Sequence, residues 1–144
     1  MTTPLPSHPR IGKKRLLIGI PTRGRSEQVV HLVNSLASIA QPPTSVEVLV
    51  VENGPRTQLD TVLGSLTHSF PICYLNEPRL GIPHARNAIL EWATDFDYVA
   101  FIDDDEVPCR EWLLRLVGHL ESNEELMASS GPVWHDPNFS VQLI

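Results

Sequence analysis

The chain has 144 residues, enough for one domain with a sizeable core. Its 42% hydrophobic and 19% charged composition is that of an ordinary globular protein, not a disordered one. With 17 acidic and 11 basic side chains the formal net charge is −6, which argues against a nucleic-acid binder relying on a broad basic surface. Two distant cysteines, Cys73 and Cys109, without CxxC spacing exclude a disulfide framework or zinc knuckle and read as free thiols in a reducing cytosol. The six histidines show no HxxxH or HExxH spacing.

Residues 1–14, rich in proline and basic side chains, read as a flexible arm ahead of a domain over 15–144. The apolar run that follows stops at Ile20, too short for a signal-peptide core or a bilayer span, so nothing requires export and a cytoplasmic protein is expected. Leu16–Ile20 reads as a strand buried on both faces, ended by Pro21. Arg23-Gly24-Arg25 makes a turn, Ser26 is the expected N-cap, and Val29, Leu32, Val33, Leu36 and Ile39 recur at helical spacing until Pro42-Pro43.

Val46–Val51 is the second expected strand, closed by Asn53-Gly54-Pro55. Leu59, Val62, Leu63 and Leu66 mark a second helix, and Ile72–Leu75 a third strand. Pro83 is placed to open a third helix whose Ala85, Ala88, Ile89 and Trp92 share a face. Tyr98–Ile102 is a fourth strand. Trp112, Leu113, Leu116, Val117 and Leu120 mark a fourth helix after Pro108, and Met127–Val133 reads as the start of another strand. The alternation predicts an α/β protein with a mostly parallel sheet and helices on both faces.

The fourth strand runs straight into Asp103-Asp104-Asp105-Glu106. Four adjacent carboxylates repel one another, and two arrangements offset this: a divalent cation held by hard oxygen ligands, or the positive N-terminal end of a following helix. In parallel sheets, ligands bind at the carboxyl ends of strands. Pro21–Arg25, Glu52-Asn53 and Asp103–Glu106 all follow strands, so they would share that edge as a functional site.

Known phosphate and metal loops do not fit. There is no GxxxxGK[ST], Gly19–Gly24 is not GxGxxG, and Pro108 stands where an EF-hand loop requires glycine. A haloacid-dehalogenase-like phosphatase is a remote alternative, because Asp103-Asp104-Asp105-Glu106-Val107 matches DxDx[TV], with Asp103 as nucleophile and Asp105 as general acid. That motif normally sits on the first strand with a lysine downstream, and no lysine follows Asp105 here.

Four motifs in order carry a resemblance. They are Ile20-Pro21-Thr22-Arg23-Gly24-Arg25, Glu52-Asn53-Gly54-Pro55, the segment from Glu77 to Ala85-Arg86-Asn87, and Phe101-Ile102-Asp103-Asp104-Asp105-Glu106 with Pro108 and Trp112-Leu113 beyond. From Arg15 to about Val133 the chain resembles family 2 glycosyltransferases, whose Rossmann-like GT-A fold binds nucleotide-diphosphate sugars. The resemblance implies that Pro21, Thr22 and Arg23 line the base and ribose pocket. It implies that Glu52 occupies the place of a base-recognising aspartate, commonly one for uracil, and that Arg86 lies near the phosphates. Asp103, Asp104 and Asp105 would form the DxD element, with Asp105 and Asp103 on Mg²⁺ or Mn²⁺ and Asp104 nearer the ribose. The donor would be a nucleotide-diphosphate sugar, UDP-linked by preference, and the acceptor a sugar or lipid-linked hydroxyl attacking with inversion.

The chain departs from the family pattern at three places. Glu52 is one methylene longer than the usual aspartate, Arg23 stands where an aromatic is frequent, and the chain ends at Ile144, where the family's acceptor region and general base normally lie further on. Asp136 and His135 are the late candidates for a base. The expectation is therefore a truncated donor-binding domain over 15–144, acting as a metal-dependent transferase or as a noncatalytic nucleotide-sugar-binding module. A sheet edge left bare by truncation would promote self-association.

Overall fold

A computed structural model describes residues 12–131. Four parallel strands, β1 (Arg15–Thr22), β2 (Ser45–Asn53), β3 (Ile72–Glu77) and β4 (Tyr98–Phe101), lie in the order β3-β2-β1-β4. The crossovers carry α1 (Ser26–Leu36), α2 (Leu59–Gly64) and α3 (Ile82–Trp92), the last followed by one 3-10 turn at Ala93–Asp95, while α4 (Trp112–Ser122) follows β4. Among the described residues, no helix is long and apolar enough to cross a membrane.

The continuous apolar runs of β1 and β2 are explained by burial on two faces. Leu16, Ile18, Ile20, Val48 and Val50 meet α1, α2 and α4 through Val29, Leu32, Val33, Leu36, Leu59, Leu63, Leu113 and Val117. Leu17, Leu49 and Val51 on the opposite face meet Ala85, Ala88 and Ile89 of α3. Each fully buried Leu or Ile contributes about 1.5–3 kcal/mol relative to exposure, so the two clusters fix which face each helix covers. Small alanines let α3 approach the sheet closely. Nearest of all is Gly19, where an added Cβ would stand 2.4 Å from Cγ2 of Ile89.

Several elements differ from the sequence expectation, each for a physical reason. Pro21 lies inside β1 rather than ending it. Gly19 accepts a hydrogen bond from the Ile102 N–H on the β4 side. Two residues on, Pro21 points its nitrogen the same way, beyond the end of β4 pairing, where a missing N–H costs little. Ser26 is the first helical residue, with Arg25 in the N-cap position, and α1 ends at Leu36, well before Pro42. There the chain is drawn toward the segment before α4 by the Ala40 N–H donating to the Arg110 carbonyl (2.6 Å).

Trp92 is exposed rather than part of the α3 core face, and Val62 is exposed on α2. The fourth helix begins at Trp112, as its apolar pattern indicates, after a turn at Arg110 and Glu111. Residues 127–131 form no strand, and the rest of that expected strand, like His135 and Asp136, lies outside the described residues.

Candidate ligand site at the carboxyl edge of the sheet

Parallel register gathers the polar strand ends into rows. Thr22 pairs with Glu52, Glu52 with Asn76, and Asn53 with Glu77, so three strands deliver their last side chains to one level. The fourth contribution comes from the acidic turn after β4, tied to β1 by the bond from Ile102 to Gly19.

The turn solves its charge problem by giving each carboxylate a different neighbour. Asp104 points inward and is 8% exposed. Its Oδ2 accepts from the Thr22 hydroxyl (2.7 Å) and its Oδ1 from the Arg25 guanidinium (3.1 Å). Burial pushes the Asp104 carboxyl above its ordinary value, while the Thr22 hydroxyl and Arg25 pull the other way. Asp105 remains exposed, 3.6 Å from the same guanidinium. Asp103 pairs with Arg86 of α3 (3.2 Å), whose guanidinium lies over the Phe101 ring. Glu106 folds back, its Oε2 accepting from the Asp103 N–H (2.9 Å) while its own N–H donates to the Asp103 carbonyl (3.0 Å).

Glu52, the register partner of Thr22, has a separate set of partners. It is 1% exposed, and its carboxylate accepts from the Thr57 hydroxyl, the Thr57 N–H (3.1 Å) and the Tyr74 hydroxyl. Beside it, Asn76 donates to the Glu52 and Gly54 carbonyls (3.0 and 2.9 Å). Asn53 donates to the Glu77 and Arg79 carbonyls (3.3 and 2.7 Å) and accepts from the Gly81 N–H (2.9 Å). Gly81 has φ +132 and Gly54 φ +100, conformations that side-chain-bearing residues rarely adopt, so both glycines are needed where these loops turn.

Glu77 receives Nε and Nη2 of Arg79 (2.9 and 2.8 Å), then the Arg79 N–H (2.9 Å), and these hold its carboxyl at about 2. Because the folded value lies below the ordinary 4.5, the stabilisation is present above that pH and is lost as pH falls through the window down to about 2. Glu77→Gln should therefore flatten the acid limb of stability, measured as urea midpoints between about pH 5 and pH 2. An unchanged limb would show that the contact contributes nothing.

The structure thus brings Thr22, Asp104 and Asp105 together, and Asp103 with Arg86. Pro21 is half-buried in β1, and Arg23 stands exposed beside Gly54, an added Cβ on which would lie 3.9 Å from its Nε. Arg25, Thr57, Tyr74 and Asn76 had no assigned role in the sequence. Only the charge of Arg25 in a turn after a strand hinted at one. Among the described residues, no group of three or more His, Cys, Asp or Glu side chains gathers to hold a metal ion.

A model of the family described as Glycosyl transferase family 2 matches residues 17–141. The succinoglycan biosynthesis protein ExoM of Rhizobium meliloti (strain 1021) is 33% identical over 103 residues, which is 69% of this chain and 33% of ExoM. Among solved structures, S. aureus TarS 1–349 superposes with a TM-score of 0.65 at 22% identity, over 76% of this chain and 33% of that one. The same TarS fragment in complex with UDP-GlcNAc gives 0.62 at 22% identity, over 76% of this chain and 32% of that one. With UDP it gives 0.65 at 22% identity, covering 76% and 33%. The chain spans about a third of the length of these relatives, and the structural likeness shows a shared α/β fold.

Proposed function

The chain belongs to glycosyl transferase family 2 and carries part of the GT-A fold, and from that premise we propose that it binds the donor in a sugar transfer from a nucleotide diphosphate. The observation that carries the proposal is the convergence of Thr22, Arg25, Arg86 and Asp103–Asp105 at the carboxyl edge of the parallel sheet. UDP and UDP-GlcNAc in the TarS structures support a uridine nucleotide as the first donor to test. Free thiols at Cys73 and Cys109 support a cytoplasmic setting.

Pro21, Thr22, Arg23 and the Glu52 end of β2 bound the base and ribose side, with Asp104 held between Thr22 and Arg25 toward the ribose. Arg86 faces the diphosphate, where a guanidinium suits paired phosphate oxygens. Asp103 and Asp105 would be the residues to hold Mg²⁺ or Mn²⁺, which would supply positive charge against the diphosphate as negative charge develops on the departing nucleotide. In the transfer, an acceptor hydroxyl oxygen bonds to the anomeric carbon as the bond to the diphosphate oxygen breaks. The electron pair leaves with the nucleoside diphosphate and the acceptor proton passes to a base, giving inversion. Arg25 and Arg86 keep the carboxylates apart and oriented before the donor arrives.

Membership of this family leaves no place for the phosphatase alternative, whose acidic motif would close the first strand rather than β4. Calorimetric titration with UDP is expected to show binding strengthened by Mn²⁺. Failure of every nucleoside diphosphate to bind, with or without metal, would overturn the proposal. Release of nucleoside diphosphate from a panel of donors, with sugar and lipid-linked acceptors, separates transfer from a noncatalytic binding module, which would give only slow hydrolysis.

A further inference from the structure

The loop between β3 and α3 carries a leucine out onto the polar carboxyl edge of the sheet, where Leu80 is 56% exposed. A single exposed leucine is ordinary on a protein surface. This one is held in place. The buried Asn53 side chain ties the backbone on both sides of it, donating to the Glu77 and Arg79 carbonyls and accepting from the Gly81 N–H. Glu77 grips the same loop through the N–H and guanidinium of Arg79.

Leu80 leans over Gly54, the residue after β2, so closely that a Cβ added there would stand 2.8 Å from its Cδ2. Arg23 comes to the same glycine, its Nε 3.9 Å from that position. Arg25, Arg56, Arg79 and Arg86 all have carboxylate partners, whereas no carboxylate pairs with Arg23 among the described residues. A fixed leucine and an unpaired guanidinium therefore meet over a glycine, and together they form a ledge that is part apolar and part cationic.

We propose that Leu80, with Arg23 beside it, is the ledge on which the pyrimidine ring of the nucleotide lies. The proposal rests on the nucleotide-binding reading above. The order β3-β2-β1-β4 sets Gly54, at the end of β2, two strands away from the acidic turn after β4, about 10 Å at the usual strand spacing. A nucleotide with its diphosphate toward Arg86 and that turn extends its ring toward the ledge. Hydrogen bonds reach a pyrimidine at its rim and leave its flat faces uncovered. Leucine suits such a face by apolar contact, and a guanidinium by stacking. A diphosphate has no comparable face, so Leu80 contributes nothing to holding it.

The test compares UDP with inorganic pyrophosphate by calorimetry on the wild type, Leu80→Ala and Leu80→Met. Leu80→Ala is expected to weaken UDP about fivefold, the effect of losing part of an isobutyl contact, and to leave pyrophosphate unchanged. Leu80→Met keeps an apolar side chain of similar volume and should stay within about twofold of the wild type for UDP. Nuclear Overhauser effects from the Leu80 methyl groups to C5–H and C6–H of bound UDP read the contact directly. Their presence supports the ledge, and their absence with UDP bound overturns it. UDP affinity untouched by Leu80→Ala overturns it too, as does an equal loss for UDP and pyrophosphate, which would place the effect in a shifted loop. If the wild type binds no nucleoside diphosphate, the donor-binding reading fails and the ledge with it. If UDP binds without a role for Leu80, the ledge alone fails.

Discussion

Ile89→Ala is expected to lower stability by about 2–5 kcal/mol, the usual range for emptying a fully buried aliphatic site, and Gly19→Ala by about 1–3 kcal/mol through overpacking. The two costs should not add. Gly19 is not among the glycines with positive φ, so its backbone does not demand glycine. What it supplies is room: an added Cβ would stand 2.4 Å from Cγ2 and 3.0 Å from Cδ1 of Ile89. Ile89 is β-branched and 0% exposed, so it has no easy rotamer by which to withdraw. In the Ile89→Ala background the obstruction is gone and the new methyl enters the cavity. Gly19→Ala should then be within about 0.5 kcal/mol of neutral, or stabilising. Urea midpoints of the four proteins measure the coupling, and simple additivity would show that the contact between α3 and β1 does not limit the packing.

The second large effect separates two adjacent aspartates. Asp104→Ala should cost about 1–3 kcal/mol of stability, because it leaves the buried Thr22 hydroxyl without its acceptor and removes a charge-assisted bond from Arg25. Asp105 is exposed, so Asp105→Ala should change stability by less than about 0.5 kcal/mol. Its cost falls on ligand binding instead, with Mn²⁺-assisted UDP affinity expected to drop about tenfold or more. Thermal unfolding and calorimetry on both variants give the comparison. Equal stability losses, or Mn²⁺-assisted binding untouched by Asp105→Ala, would contradict this division of labour.

The strands and their parallel arrangement were legible because apolar runs of β-branched and leucine residues, separated by helical periods, admit few other architectures. Helix ends were less legible. α1 closes at Leu36 in short turns from Ala37 to Asn34 and from Ser38 to Ser35, and the bond from Ala40 to Arg110 beyond them is a long-range one that local spacing does not encode. Trp92 shares the helical spacing of Ala88 and Ile89, yet as the last residue of α3 it is exposed. At the site, the motif order located the edge and its acidic turn. The partner of Asp104 and Asp105, however, is Arg25 rather than Arg23, and two arginines flanking one glycine look alike until the turn fixes their directions.

The sequence by itself determined the chain's class, its β-α alternation, its family resemblance, and the polar segments that meet at the carboxyl ends of the strands. These follow from periodicity and local order, which are properties of neighbouring residues. The tertiary structure alone decided what each carboxylate does. Asp104 is turned inward onto Thr22, Asp103 outward to Arg86, Asp105 left accessible, and Glu52 held by Thr57 and Tyr74. The reason is physical: a carboxylate's role depends on its burial and on the donors that reach it, and here every such donor comes from a distant strand, a helix or a loop folded over it.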